Sequence, residues 1–281
     1  MYHMHRVFSI IFIAFFLTNV SAQLAKATYT MKVSVDMDFS TNRNMPKEVV
    51  ERIKKRLSEP QTFFLTFDNN QSIYKNEEKL DAPQQGSRGN RVMRFGGADK
   101  QITHTNLATR IQTTQQELLG KLFLVTQPLK TPQWNFTGET KQIGNYTAYE
   151  ATYTQKSKPN QIRMSFGRSN DKKQEENEEP KEEEVTVSVW FTPDIPIPAG
   201  PDKYFGLPGL VLMVQDGNKV YVCTKVQMNS KEKVNLNPPK KGEKVTGEEF
   251  KKIREEKTKE MRERFQNNSN RGNQNRIFIR R

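Results

Sequence analysis

Few residues of this chain combine the types and the spacing that chemistry requires. Asp194 and Asp202 lie at either end of a proline-rich segment, close in sequence to Trp190 and Tyr204. Paired carboxylates can act as general acid and general base on glycans. Aspartates beside prolines and glycines are also common caps of turns, and this structural role is the favoured interpretation of both. No catalytic residue is therefore assigned.

Histidine and cysteine chemistry is almost excluded. His104 is the one histidine beyond residue 22, so a multi-histidine zinc or copper site cannot form in that part of the chain. No nucleophile signature lies near His104, and its polar neighbours favour a surface position. Cys223 is the single cysteine and alternates with apolar residues, which predicts burial and excludes an intramolecular disulfide. We expect neither a metal nor a cofactor.

The start of the chain is typical of a secretory signal peptide. A basic Arg6 precedes the apolar stretch Val7–Leu17, and the small residues Ser21 and Ala22 come before Gln23. The apolar stretch is shorter than the roughly 20 residues that cross a bilayer as a helix. We expect cleavage between Ala22 and Gln23 and export of the mature chain.

The net charge of the chain indicates which classes of binding partner to expect. The chain carries 45 Lys and Arg against 32 Asp and Glu, a formal charge of +13. No nucleic-acid motif is present, and the basic residues are not interleaved with stacking aromatics, so no nucleic-acid partner is expected. For an exported protein, this charge favours peripheral contact with an anionic envelope surface.

Short alternating segments predict a sheet. From Tyr29 to Phe39 apolar and polar residues alternate strictly, which indicates a strand with one face on a core. A helix is predicted after Pro46 and before Pro60, and a second one from about Gly247 to Gln266. The predicted fold class is mainly β, a curved antiparallel sheet or half-barrel with one N-terminal and one C-terminal helix.

Composition divides the chain into three parts. Residues 1–22 form the signal peptide, residues 23–240 the antiparallel β domain, and residues 241–281 a basic, helical and disordered tail. Within the domain, residues 171–184 contain no apolar residue and are strongly acidic, which predicts a disordered insert in a hairpin.

The segment "YFGLPGLVLMV" interrupts this regularity. Leu207-Pro208-Gly209-Leu210 suits a type II turn, with proline at the second position and glycine at the third. The apolar run that follows, Leu210–Val214, predicts a strand covered on both faces. A rigid, buried corner explains these residue types without chemistry. If the corner binds a ligand, the candidate residues are Trp190, Asp194, Tyr204, Gly206, Leu207, Pro208, Gly209 and Leu210.

This corner resembles the signature of the GLPGLI family of exported Bacteroidota proteins, with Val211 in place of the final isoleucine. The resemblance extends upstream along Trp190, Phe191, Thr192, Pro193, Ile195, Pro196, Ile197, Gly200 and Pro201. Asn145 and Ala148 depart from a corner where the family often has a second glycine and a cysteine. The resemblance implies an exported β protein facing the periplasm or the periphery of the outer membrane, and implies no catalytic mechanism.

Two functional hypotheses stay open at this point. The first is a non-enzymatic binding or envelope-assembly module, whose partner is an outer-membrane protein or an apolar or lipid ligand. Aromatic strands and the missing nucleophile–base pair favour it. The alternative is a carboxylate-dependent hydrolase that acts on glycan or other envelope substrates through Asp194 and Asp202.

Overall fold

The computed structural model describes residues 24–34, 58–77, 97–157, 183–229 and 235–274, and the single residues 48, 51 and 55. Twelve strands and one helix occupy these ranges. They are β1 (Ala25–Val33), β2 (Gln61–Phe67), β3 (Gln71–Asn76), β4 (Gly97–Asn106), β5 (Ile111–Leu118), β6 (Lys121–Pro128), β7 (Asn135–Ile143), β8 (Tyr146–Ser157), β9 (Glu183–Thr192), β10 (Leu210–Asp216), β11 (Lys219–Gln227), β12 (Glu243–Thr246) and α1 (Gly247–Gln274).

All twelve strands belong to one open sheet, in the order β12-β6-β5-β4-β3-β2-β1-β11-β10-β9-β8-β7. Most neighbours follow one another in sequence and pair antiparallel, as short hairpin connections require. One pair differs, because β12 runs parallel to β6. The mainly β class is confirmed, but the purely antiparallel sheet is wrong: the sheet is mixed.

Several predictions fall on residues outside the described ranges. The signal peptide, residues 171–182 of the acidic insert and most of the N-terminal helix lie there, whereas Glu183 and Glu184, predicted to be disordered, begin β9. The C-terminal helix is confirmed; it begins at Gly247 as expected and continues to Gln274. The predicted domain boundaries stay predictions, and β12 lies in the sheet beyond the boundary at residue 240.

The main core lies on one face of the central strands. Ala25, Ala27 and Tyr29 alternate toward this face of β1, and each is fully buried. Phe63, Leu65 and Phe67 of β2, Val187 and Val189 of β9, and Val214 of β10 extend the same cluster. Burying each large apolar side chain of this face contributes about 1.5–3 kcal/mol to stability.

A smaller core joins the helix to the sheet. Phe250 of α1 packs edge-on against Phe123 of β6, with ring centroids 5.3 Å apart. Thr246 and Glu249 form a capping box: the backbone N–H of Glu249 donates to Thr246 Oγ1, and that of Thr246 donates to Glu249 Oε2. Within the described residues no helix is both long and apolar enough to span a membrane.

Candidate functional site

The proline-rich segment between β9 and β10 closes over the main core by backbone hydrogen bonds. Prolines lack an N–H, so the remaining residues supply the donors. Leu210 N–H donates to Ile195 O at 3.0 Å, and Val211 N–H donates to Ala199 O at 3.0 Å. Ile195 and Ala199 are buried beneath these bonds. The segment is therefore attached along its length to the start of β10.

At two positions of this segment the neighbouring backbone leaves no room for a side chain, so only glycine fits. A Cβ on Gly200 would overlap the carbonyl oxygen of Tyr204, and a Cβ on Gly209 would overlap that of Thr192. Gly206 has a φ of 84°, which favours glycine. The predicted type II turn is wrong, because Gly209 does not have the positive φ that this turn needs. Instead Gly209 N–H donates to Leu207 O, a tighter turn around Pro208.

The structure does not bring the eight candidate residues into one site. Leu207, Gly209 and Leu210 are buried, whereas Gly206 and Pro208 are exposed. Asp194 is exposed, and its backbone N–H donates a hydrogen bond to Thr192 Oγ1 at 3.3 Å, as in a turn. The predicted buried corner is thus present. Ligand binding by its residues stays a prediction.

Trp190 lies on the opposite face of β9 from the core residues Val189 and Phe191, because side chains alternate along a strand. The Lys141 Nζ atom stands 3.8 Å from the Trp190 ring centroid and 3.3 Å from Met213 Sδ. Burial lowers the pKa of Lys141, although Glu150 partly opposes this shift. The Lys141 ammonium group therefore covers one face of the Trp190 indole ring.

Tyr204 connects the corner to an acidic group that the sequence analysis missed. Its hydroxyl donates a 2.6 Å hydrogen bond to Asp216 Oδ2. Gln155 Nε2 donates to Asp216 Oδ1 at 3.0 Å, and Lys203 Nζ lies 3.3 Å from Oδ2. Burial by itself raises the pKa of Asp216. The hydrogen bond from Tyr204, the charge of Lys203 and the bond from Gln155 together lower it by more, so the pKa of Asp216 lies below its ordinary value.

Asp202 differs electrostatically from Asp216. Its φ of 52° lies in the left-handed region, which aspartate tolerates better than most residues. Burial raises the pKa of Asp202, and Lys203 and Lys219 offset only part of this rise. The charge of Asp216 adds to this rise. The pKa values of Asp202 and Asp216 are therefore shifted in opposite directions.

A buried tyrosine adjoins this pair. Tyr74 is 7% exposed, and among the described residues its hydroxyl is the buried side-chain polar atom without a hydrogen-bond partner. Its ring stacks on Phe63 with centroids 5.1 Å apart. Burial raises its pKa, and Tyr221 and Asp202 add to the shift. An unpaired buried hydroxyl is costly and rare in folded proteins, but no described cavity opens onto this one.

An open cleft lies at the other end of the sheet. It has a volume of about 660 Å³ and is bounded by residues 238–240, β5, β6, β12 and the first turn of α1. Its lining residues are Thr113, Leu124, Thr126, Pro238, Pro239, Lys240, Lys244, Val245, Thr246 and Glu249. This volume is within the range of small-molecule sites.

Residues 235–242 form one wall of the cleft, and two contacts set its position: one from Leu236 to His104 and one from Gly242 to Phe123. The backbone of Leu236 hydrogen-bonds to the ring of His104, and His104 Nε2 lies 3.1 Å from Gln71 Oε1. His104 is buried, so its predicted surface position is wrong. Gly242 has a φ of 119°, and a Cβ there would come 2.7 Å from the Phe123 backbone. Its missing side chain lets the segment approach β6.

The cleft is chemically divided. Leu124, Pro238 and Pro239 provide apolar walls, and the exposed Lys240 and Lys244 provide positive charge. Pro238 and Pro239 lie in the segment that precedes β12. No local pattern in the sequence places them beside β6, so this cleft could not have been predicted.

A second cavity, of about 240 Å³, lies where the β7–β8 turn meets Leu212, Cys223 and Val226. Asn145, one of the departures from the family pattern, lines it. Cys223 is half-buried, which agrees in part with the expected burial. Burial raises the pKa of its thiol to about 11, so it is not a reactive thiolate at neutral pH.

Two crystal structures of PNGF-II resemble the chain. In the C2 form the TM-score is 0.48 at 16% identity, over 83% of this chain and 32% of the PNGF-II chain. In the P2₁ form the TM-score is 0.47 at 15% identity, over 83% and 33%. The chain thus spans about a third of the PNGF-II chains. At these TM-scores the likeness carries no argument about function.

No curated protein matches the sequence. A family model does match residues 134–213, from Trp134 to Met213, and its description is "Protein of unknown function (Porph_ging)". The matched range contains β7, β8, β9, the proline-rich segment and the corner. This part of the chain therefore resembles a domain of unknown function that is typical of Bacteroidota proteins.

Proposed function

We propose that the mature chain is an exported, non-enzymatic binding module of the Bacteroidota cell envelope, of the GLPGLI type, and that the cleft beside β6 and β12 binds an apolar or amphiphilic ligand. The observation that carries the proposal is the cleft, about 660 Å³ with apolar walls and two lysines. The apolar stretch at the N-terminus supports export. The positive charge supports contact with an anionic envelope surface, including an outer-membrane partner.

The corner supports the proposal indirectly. Its glycines and leucines are engaged in packing, and Tyr204 donates its hydroxyl hydrogen to Asp216. A corner of this kind holds β9 and β10 in place and leaves recognition to other surfaces. The cleft lies outside the residues that match the family model, so its ligand is a property of this chain.

Native mass spectrometry of residues 23–281, purified gently from the native envelope, tests the proposal. We expect a retained mass of lipid size. In the variant Thr126→Trp, an indole would occupy the cleft, and the retained mass should disappear. Thr154→Trp is the matched control, because Thr154 is an exposed strand residue away from the cleft. A bare protein in all three samples, or equal retention in all three, would overturn the proposal.

A carboxylate-dependent hydrolase is the second candidate function. The observation that favours it is the opposite direction of the Asp202 and Asp216 pKa shifts, a pattern that separates a proton donor from a base. The test is to assay Asp202→Asn and Asp216→Asn on envelope glycans, with Asp194→Asn as the control. Activity that both variants retain would remove this candidate.

A further inference from the structure

We infer that the cleft selects a long-chain carboxylate, a fatty acid, whose head group lies between Lys240 and Lys244 and whose chain lies on the apolar walls. This inference rests on the proposed function, because it assumes that the cleft holds an amphiphile. The two lysines specify a negative charge on the head group of the ligand, which the apolar walls alone do not determine.

The charge balance in the cleft is positive. Lys240 and Lys244 are exposed, and neither forms an ion pair within the described part of the chain. Glu243, the acidic neighbour of Lys244, pairs with Lys121 instead. Among the described residues neither ammonium group is paired with a carboxylate, and the two lysines outnumber Glu249, the one acidic residue of the lining.

Glu249 is the one acidic residue that lines the cleft, and it is already engaged. Its Oε2 accepts hydrogen bonds from the Thr246 backbone N–H at 2.8 Å and from Thr246 Oγ1 at 3.0 Å. These bonds lower its pKa, so it stays ionised while it caps α1. The Glu249 carboxylate therefore caps the N-terminus of α1 and is not paired with Lys240 or Lys244. Both ammonium groups can then bind an anion.

The sheet register places charge beside apolar surface. Lys244 is the register partner of Leu124 across the parallel β12–β6 pair, and Thr246 is the partner of Thr126. Thr126 in turn pairs with Thr113 of β5. Side chains two apart lie on one face, so an ammonium, a buried leucine and a row of hydroxyls share the floor. A carboxylate can accept from the ammonium and the hydroxyls while its chain covers Leu124.

The lysines of the lining offer ammonium donors that bind a carboxylate through single N–H···O contacts rather than through a bidentate fork. No arginine lines the cleft, and the forked geometry that arginine offers to phosphate is absent from its lining. Exposed lysine pairs are weak, so we expect the head group to contribute selectivity of roughly three- to tenfold rather than most of the affinity.

Titration calorimetry with myristate and with 1-tetradecanol, which has an equally long chain and a neutral head, tests the inference. We expect myristate to bind the mature chain about three- to tenfold more tightly, and the preference to shrink at high salt. The double variant Lys240→Gln/Lys244→Gln should bind both probes alike. Lys130→Gln/Lys156→Gln, at exposed lysines outside the cleft, should keep the preference.

The possible failures are distinguishable. Equal affinity for acid and alcohol in the unaltered chain overturns the carboxylate inference and leaves an amphiphile site in place. Binding of neither probe contradicts the proposed function itself. Methyl NMR locates the site: myristate must shift the Leu124 and Thr126 signals, and shifts confined to residues outside the lining overturn the assignment to this cleft.

Discussion

The hydroxyl of Tyr29 donates a 2.6 Å hydrogen bond to the carbonyl oxygen of Val211, and both residues are fully buried. The register of β9 and β10 shifts between Val211 and Met213, so the ladder is interrupted at this carbonyl. Val211 N–H donates to Ala199 O, outside that ladder. The corner is thereby connected both to the proline-rich segment and to β1, which lies two strands away in the sheet.

Replacing Tyr29 by phenylalanine should lower the free energy of unfolding by about 1–3 kcal/mol, because the Val211 carbonyl would stay buried without this partner. Urea denaturation followed by tryptophan fluorescence measures the change. Tyr149→Phe is the control, since Tyr149 is 40% exposed and should alter stability by less than about 0.5 kcal/mol. Equal effects of the two substitutions would contradict the importance of the buried bond.

Gly209→Ala should destabilise the fold by about 3 kcal/mol or more, because the new methyl would overlap the Thr192 carbonyl and neither backbone can shift freely. Gly217→Ala provides the comparison: Gly217 has a φ of 56° but open space around its Cβ position. Its cost should be about 1 kcal/mol, from backbone strain alone. Thermal unfolding of both variants measures the difference, and a mild effect at Gly209 would show that the corner can relax.

Asp202→Asn and Asp216→Asn should have opposite effects on stability at neutral pH. The pKa of Asp202 is raised, so its ionisation costs stability as the pH rises above about 3.8, and asparagine removes that cost. The pKa of Asp216 is lowered, so its charge stabilises the fold above about 3.8, and this contribution disappears as the pH falls through the folded-state value.

Urea titrations between pH 3 and pH 8 test this pair. Asp202→Asn should gain stability relative to the unaltered protein toward pH 8, and Asp216→Asn should lose it over the same range. Both differences should shrink toward pH 3. Asn is accepted in the left-handed region, so the backbone at Asp202 should not obscure the result. Changes of the same sign in the two variants would refute the electrostatic assignment.

Cys223 should react slowly with iodoacetamide at pH 8 in the folded protein, because burial raises its pKa to about 11 and keeps the thiol protonated. Its rate should rise with pH up to about 11, whereas the same chain in concentrated urea should react quickly at pH 8. Mass spectrometry of the alkylated fraction measures both rates. A folded protein that reacts as fast as the unfolded one would show an accessible, activated thiol.

Local patterns predicted what depends on local physics. The alternation predicted from Tyr29 onward agrees with the buried Tyr29 and Met31 of β1, since a strand with one face on a core needs a period of two, and residues 35–39 of the predicted strand lie outside the described ranges. The onset of α1 at Gly247 followed from its sequence, and the structure shows the capping box there. The glycines and proline of the corner predicted a rigid, buried turn, although the turn type was wrong because the reason for Gly209 is a neighbouring carbonyl.

The sequence by itself therefore determined the mainly β class, the C-terminal helix and the buried corner. Tertiary structure alone decided the parallel pairing of β12 with β6, the opposite pKa shifts of Asp202 and Asp216 and the cleft that Pro238 and Lys244 help to form. The physical reason is the distance along the chain over which each interaction acts. Periodicity and turn chemistry act over a few neighbouring residues, whereas each of these features depends on which distant segments the packed core brings into contact, as Phe250 on Phe123 brings α1 to β6.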